Sequence, residues 1–308
     1  MASQAIMNPA EQAAQVALSE IFTCIKNGQS FCLEAGAGAG KTYSLIEALR
    51  FVIEHQGKNL LRRQQQVACI TYTNVACDEI QARIDSHPVV FPSTIHAFFW
   101  SIIKNFQPFL RRTLPTLNKW PEILEEAGGI ERQEIRYELG YRNATESYIT
   151  ISHDDVLSLT VEIMRIAKFR TLLSAQYPII FIDEYQDTNK GLAEALEEHF
   201  LGKTDSPLIG LFGDHWQKIY NDGIGSIEHP SLHVIGKGAN FRSVATVVNA
   251  LNRIRPELPQ AVKDPNSKGF VAVYHTNLWI GERLTGGHWA GDLPRDIAHN
   301  HLTGLSNR

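Results

Sequence analysis

Residues 31–53, FCLEAGAGAGKTYSLIEALRFVI, decide the fold. FCLEAG (31–36) reads as a short buried strand, and from Thr42 onward Leu45, Ile46, Leu49, Val52 and Ile53 recur at helical spacing. The turn between them alternates Ala35, Gly36, Ala37, Gly38, Ala39 and Gly40. Backbone N–H groups of such a turn converge on phosphate oxygens at a helix N-terminus, whose partial positive charge favours anions. Lys41 is placed to reach the β and γ phosphates, and the Thr42 hydroxyl to ligate Mg2+. Ala35 stands where the GxxxxGK[ST] pattern carries its first glycine. A merely flexible Gly-Ala loop would not explain Gly-Lys-Thr opening a helix directly after a strand.

Further short apolar runs alternate with helical patterns. VACITYT (67–73) precedes a helix carrying Val75, Ile80 and Ile84, and PIIFIDE (178–184) precedes one with Leu192, Leu196 and Phe200. LIGLFGD (208–214) and LHVIG (232–236) follow. Buried strands alternating with amphipathic helices indicate an α/β fold, a parallel sheet with helices on both faces. Ligands of such sheets bind at the carboxyl ends of the strands. The rhythm lapses from about 105 to 152, where Pro108, Pro115 and Pro121 punctuate helical pieces such as PEILEEAGG. That stretch reads as a small helical insertion, or else a long surface excursion. Asn240 to Arg255 reads as a helix ended by Pro256, and FVAVYH (270–275) as the start of another strand.

The run YPIIFIDEYQDTN (177–189) sets Asp183, Glu184 and Asp187 against four apolar residues. Three carboxylates in five positions raise one another's pKa unless a cation or firm hydrogen bonds compensate. Mg2+ carried by a nucleotide on the glycine-rich loop is such a cation, held by Asp183 at the end of its strand. Glu184 is then placed to orient and deprotonate an attacking water. A solvated acidic turn would account for Asp187, but not for carboxylates directly after PIIFI.

Composition narrows the setting. The 308 residues are 44% hydrophobic, enough for one large or two medium domains. The net charge of −4 leaves no general attraction for polyanions, so any nucleic-acid site is a local patch. Cys24, Cys32, Cys69 and Cys77 form no CxxC pair, and Cys32 and Cys69 fall inside strand-like runs. Buried free thiols in a reduced cytoplasm are the expectation, with no membrane partner, since no apolar run approaches a membrane span or a signal peptide.

Several motifs in order resemble the UvrD/Rep/PcrA-type superfamily 1 DNA helicases. NPAEQ (8–12) is similar to that family's adenine-reading motif, which implies a bidentate contact from Gln12. EAGAGAGKT resembles its phosphate loop, in which alanine commonly replaces the first glycine. TYTNVACDEI (71–80) and STIHAFF (93–99) resemble motifs that contact single strands, implying roles for Tyr72, Thr73, Asn74, Thr94 and His96. DEYQDTN (183–189) follows the DExQD box. GDHWQKIY (213–220) resembles the motif whose glutamine senses the γ-phosphate, here Gln217, and offers Tyr220 to a base. NFRS (240–243) resembles the motif whose arginine reaches the γ-phosphate, here Arg242, with Phe241 stacking on the nucleotide base. Phe98, Phe99 and Trp100 are left to the core.

Three departures accompany the resemblance. Tyr43 follows the phosphate loop where the family often has arginine, implying aromatic packing on the base. NDGIGS (221–226) stands in place of a Trp-Arg-Gly that contacts single-stranded DNA. About 68 residues follow position 240, so the resemblance implies the N-terminal portion of a longer helicase or a naturally shortened relative. The expected domains are 1–104 with 153–239 as a first RecA-like ATPase domain, 105–152 as the insertion, and 240–308 as a truncated second RecA-like domain. The implied function is ATP- and Mg2+-dependent translocation on single-stranded or tailed duplex DNA, 3′ to 5′. An ATP- or DNA-sensing subunit that regulates a partner nuclease, as in Gabija-type anti-phage systems, is the first alternative. A P-loop kinase for a small metabolite is the second, although no acceptor site or arginine-bearing lid is evident.

Overall fold

The computed structural model describes residues 7–138 and 142–271. Helix α1 (Pro9–Asn27) opens with a reciprocal cap: the Asn8 side chain accepts the Glu11 N–H at 3.0 Å, and Glu11 returns a bond to the Asn8 N–H at 3.1 Å. With Pro9 in the first turn and Gly28 ending the helix in the left-handed region, both ends are specified locally. The chain then runs through β1 (Phe31–Glu34), α2 (Lys41–Arg62), β2 (Val67–Thr71), α3 (Asn74–Arg83), β3 (Val90–Thr94) and α4 (Ile95–Ile103). The inserted region brings α5 (Gln107–Thr113), α6 (Trp120–Glu126), β4 (Glu134–Tyr137), β5 (Asn143–Ala144) and β6 (Tyr148–Ile151). After it come α7 (His153–Met164), α8 (Ala167–Gln176), β7 (Ile179–Asp183), α9 (Lys190–Phe200), β8 (Leu208–Gly213) and β9 (His233–Gly236). The described chain closes with β10 (Ala239–Asn240), α10 (Ala245–Ile254) and β11 (Ala261–Val262).

Six parallel strands form the main sheet in the order β3-β2-β7-β8-β1-β9. One apolar layer lies on each face, and Phe31, Phe181 and Phe212 meet edge-to-face in one of them. Cys32 and Cys69 are 1% and 0% exposed, as strand thiols should be. Phe98 and Phe99 are buried in the other layer, with Trp100 packed against it. Because β8 separates β1 from β7, the glycine-rich loop and Asp183 leave the sheet two strands apart, roughly 10 Å at ordinary strand spacing. Gly213 at the end of β8 keeps that gap passable: a Cβ there would lie 2.4 Å from Gln186 Oε1 and 2.5 Å from Tyr185 Cδ1.

Several elements differ from expectation. β3 goes unread in the sequence because Pro92 interrupts VVFPST, yet a proline without an N–H is tolerated at a sheet edge, and β3 is an edge strand. The insertion is mixed rather than helical: β4, β6 and β5 form a small sheet whose Ile135, Ile149 and Ile151 are buried. Arg142 ties it to α7 through Asp155 at 2.8 Å. The helix expected from Asn240 starts only at Ala245, because the Asn240 side chain accepts the N–H groups of Arg242 (3.0 Å) and Ser243 (2.8 Å) and turns the chain first. Val75, grouped with Ile80 and Ile84 as an apolar helix face, is 76% exposed while the other two are buried. The described residues up to Lys268 belong to one compact unit, in which β10 and β11 pack on α1. The strand expected at 270–275 lies almost wholly outside the described residues.

Candidate nucleotide site

A cavity of about 540 Å³ opens at the carboxyl ends of β1 and β7, lined by Gly36, Ala37, Gly38, Gly40, Lys41, Thr42, Glu184, Gln217, Phe241 and Arg242. The sequence names every one of these as a site residue. Ala35 and Ala39 are fully buried and anchor the loop from within. Gly38 and Gly40 have φ of +78° and +75°, a region costly for residues with a side chain. Close approach adds a second constraint, since a Cβ on Gly36 would lie 2.5 Å from Gln260 Nε2 and one on Gly38 2.9 Å from Asn240 Oδ1. Asn240 Nδ2 donates to the Ala37 carbonyl (3.1 Å) and Phe241 N–H to the Gly38 carbonyl (2.9 Å). The NFRS stretch is therefore clasped to the loop, which brings Phe241 and Arg242 to the cavity wall.

Opposite the loop, Glu184 adopts φ +49°, a strained conformation that turns its side chain toward Lys41, and Lys41 Nζ lies 3.0 Å from Glu184 Oε2. Gln186 Nε2 donates to the same oxygen at 2.9 Å. Asp183 is 7% exposed, and its one hydrogen bond among the described residues comes from the Glu184 N–H at 3.0 Å. Burial first, then the neighbouring Glu184, push its carboxyl up to about 7, against the pull of Lys41. The buried, under-compensated Asp183 carboxylate and the Thr42 hydroxyl on the cavity wall are hard-oxygen donors of the kind that suits Mg2+.

Gln217 is held in place through Asp214, which ends LIGLFGD, and through Arg255, which the sequence does not single out. Its Nε2 donates to Asp214 at 2.6 Å, and Arg255 Nη1 grips the other oxygen of Asp214 at 2.6 Å while its guanidinium lies 5.4 Å from the Trp216 ring centre. His215, also unassigned from sequence, pairs with Glu34 at 3.0 Å. Lys237 was missed as well. It is fully buried beneath the loop, donating to the Gly40 carbonyl (2.9 Å) and the Ser44 hydroxyl (2.8 Å). Burial lowers its ammonium to about 8. A lone lysine between glycines carries no sequence signal for such a position.

The remaining expected residues lie elsewhere. Gln12 is outside the cavity, with its Nε2 donating to the Met7 carbonyl at 2.9 Å. Tyr43 is half exposed, its ring 5.7 Å from Lys237 Nζ. Tyr72 and Tyr220 stack on each other, ring centres 6.0 Å apart at 16°. Thr73 caps α3 by accepting the Ala76 N–H at 3.1 Å, and Asn74 begins that helix. Thr94 caps α4 without a side-chain bond. His96 lies against His153, ring centres 4.4 Å apart; burial and that neighbour lower its imidazole to about 4, so it is neutral at pH 7. Asp187, far from being a solvated turn, is 9% exposed and accepts the N–H groups of Ile219 (2.9 Å) and Tyr220 (3.2 Å). It joins the acidic box to the loop that presents Tyr220.

A sequence family described as an AAA domain, AAA_19, matches residues 19–222. The chain belongs to that family. It is also 28% identical to the Gabija protein GajB of Bacillus cereus (strain HuB5-5), over 78% of this chain and 49% of that protein. The ATP-dependent DNA helicase PcrA of Staphylococcus aureus (strain Mu50) is 22% identical over 71% of this chain and 37% of its own length. This chain thus spans half or less of these relatives. Among solved structures, the Pif1 helicase of Candida albicans overlaps 71% of the chain at 13% identity with a TM-score of 0.36. Family, relatives and parallel sheet agree with the UvrD/PcrA-type resemblance. No helix among the described residues is long and apolar enough to cross a membrane.

Proposed function

We propose that this chain is the ATP-hydrolysing RecA-like part of a UvrD-type DNA helicase or translocase that moves 3′ to 5′ on single-stranded DNA. The observation that carries the reading is one cavity lined by the phosphate loop, Glu184, Gln217 and Arg242. Lys41 is paired to Glu184. A bound triphosphate offers Lys41 a stronger anionic partner, and the exchange releases Glu184 to orient a water and take its proton. Arg242 and Gln217 meet the charge that develops on the transferred phosphoryl group, with Gln217 aimed by Asp214 and Arg255. Bound Mg2+, held by Thr42 and Asp183, would neutralise phosphate charge. Gln12 reads adenine in this scheme once it leaves the Met7 carbonyl, and Tyr43 packs on the base.

Tyr72, Thr73, Asn74, Thr94, His96 and Tyr220 form the single-strand contact surface in the same reading. Residues 1–104 and 153–239 make the first RecA-like domain, 105–152 the insertion, and 240 onward the beginning of the second. The similarity to GajB favours a second role, in which ATP or DNA occupancy here controls a partner nuclease in cytoplasmic anti-phage defence. Phosphate release with and without single-stranded DNA tests the main proposal. Hydrolysis stimulated by the strand is expected. No hydrolysis under either condition overturns the enzyme assignment, and hydrolysis indifferent to the strand overturns the DNA motor.

A further inference from the structure

Lys237 sits in the bend between β9 and β10, fully buried, 197 residues along the chain from the peptide it supports. Its Nζ donates to two neutral groups, the Gly40 carbonyl and the Ser44 hydroxyl, and lies 5.7 Å from the centre of the Tyr43 ring. No carboxylate pairs with it among the described residues. An isolated buried ammonium is costly, and such charges are ordinarily paired or hydrogen-bonded in full. Gly40, whose carbonyl Lys237 holds, lines the cavity assigned to phosphate.

The geometry of the peptide gives the lysine a task. The Gly40 carbonyl already accepts the Ser44 N–H at 3.2 Å, so Lys237 is its second donor. Across a trans peptide the Lys41 N–H points opposite to the Gly40 carbonyl. Pinning the carbonyl on the Lys237 side therefore aims the Lys41 N–H toward the loop, and two donors on one carbonyl polarise that N–H further. A Cβ on Gly40 would lie 3.6 Å from Lys237 Nζ, which puts the buried charge directly behind the loop's last glycine.

We propose that Lys237 is a positioning residue for nucleotide phosphate: it sets and polarises the Gly40–Lys41 peptide, and its buried charge is balanced only when a phosphate occupies the cavity. This rests on the nucleotide reading of the cavity. Binding of a fluorescent ADP analogue and melting temperature, with and without ADP, are to be measured for the parent, Lys41→Ala, Lys237→Met and Lys237→Arg. Lys237→Met should weaken binding about 10-fold or more, as expected for loss of a charge-assisted contact, whereas Lys237→Arg, which keeps the charge, should lose less. The nucleotide-free melting temperature of Lys237→Met should hold or rise, since an uncompensated buried charge is gone, while its rise on adding ADP shrinks. A purely structural lysine would do the reverse. Binding by Lys237→Met within twofold of the parent overturns the inference, as does a lowered nucleotide-free melting temperature with the ADP-induced rise intact. If the parent binds and Lys41→Ala does not, those failures fall on Lys237 alone. A parent that binds no nucleotide overturns the reading of the cavity, and this inference with it.

Discussion

Replacing Asp187 with alanine separates nucleotide chemistry from strand contact. Its carboxylate accepts the Ile219 N–H at 2.9 Å and the Tyr220 N–H at 3.2 Å, and so fixes the segment whose Tyr220 ring stacks on Tyr72. A hydrogen bond to a charged group contributes about 1.5–3 kcal/mol when both partners are buried. The Ile219 and Tyr220 side chains are 75% and 51% exposed, so water can replace the lost acceptor and the lower end applies. Loss of both bonds at that lower end destabilises this arrangement by about 3 kcal/mol, a shift of roughly 150-fold in its population. Affinity for a fluorescein-labelled single-stranded oligonucleotide, read by anisotropy, should fall by at least about 10-fold, while binding of a fluorescent ATP analogue changes less than about twofold. Asp187→Asn keeps an acceptor oxygen without the charge and should lose about half as much free energy. Unchanged oligonucleotide affinity in Asp187→Ala would refute the idea that this carboxylate holds a DNA-contacting loop.

Other outcomes follow from the same geometry. Lys41→Ala removes the side-chain cation from the cavity wall beside Glu184 and should abolish binding of the fluorescent ATP analogue; intact binding would reject the phosphate-loop assignment. ATP should be preferred over GTP, and Gln12→Ala should reduce that preference, because guanine presents an acceptor where adenine presents a donor; equal turnover of ATP and GTP by the parent would reject the adenine contact. The Lys237 ammonium is lowered by burial to about 8 in the fold, so between there and its ordinary value the unfolded chain holds more protons. Stability should therefore rise as pH increases from about 8 to about 10, by up to about 3 kcal/mol, and Lys237→Met should remove that rise. Chemical denaturation across that range checks it, and identical pH slopes in the two proteins would contradict it.

What the sequence revealed follows from how local its signals are. FCLEAG, VACITYT, PIIFIDE and LIGLFGD announce strands because continuous apolar runs bounded by turn residues need no partner to be recognised. Pro92 hid β3, since the edge position that excuses a proline is a property of the assembled sheet. The small sheet of the insertion was hidden by helix-favouring neighbours and by strands of only two to four residues. At the site, Gly36 to Thr42 and Glu184 were legible because they act in contiguous motifs. Arg255, Lys237 and Gln260 were not: each reaches the site only after β9, β10 and α10 fold back onto the loop. The acidic box marks Asp187 in the sequence, but not its task, because its N–H partners lie 32 and 33 residues away.

In the proposed reaction Glu184, paired with Lys41 across the cavity, is the base that activates water against ATP. Pre-steady-state phosphate release by Glu184→Gln, measured beside binding of a fluorescent ATP analogue and with saturating single-stranded DNA, tests it most directly. Glutamine keeps the size and can still hydrogen-bond but cannot take a proton. Hydrolysis should fall by about 10²–10⁴-fold while Mg-ATP binding is retained. Phosphate release at the parent rate would place the base elsewhere and contradict the account.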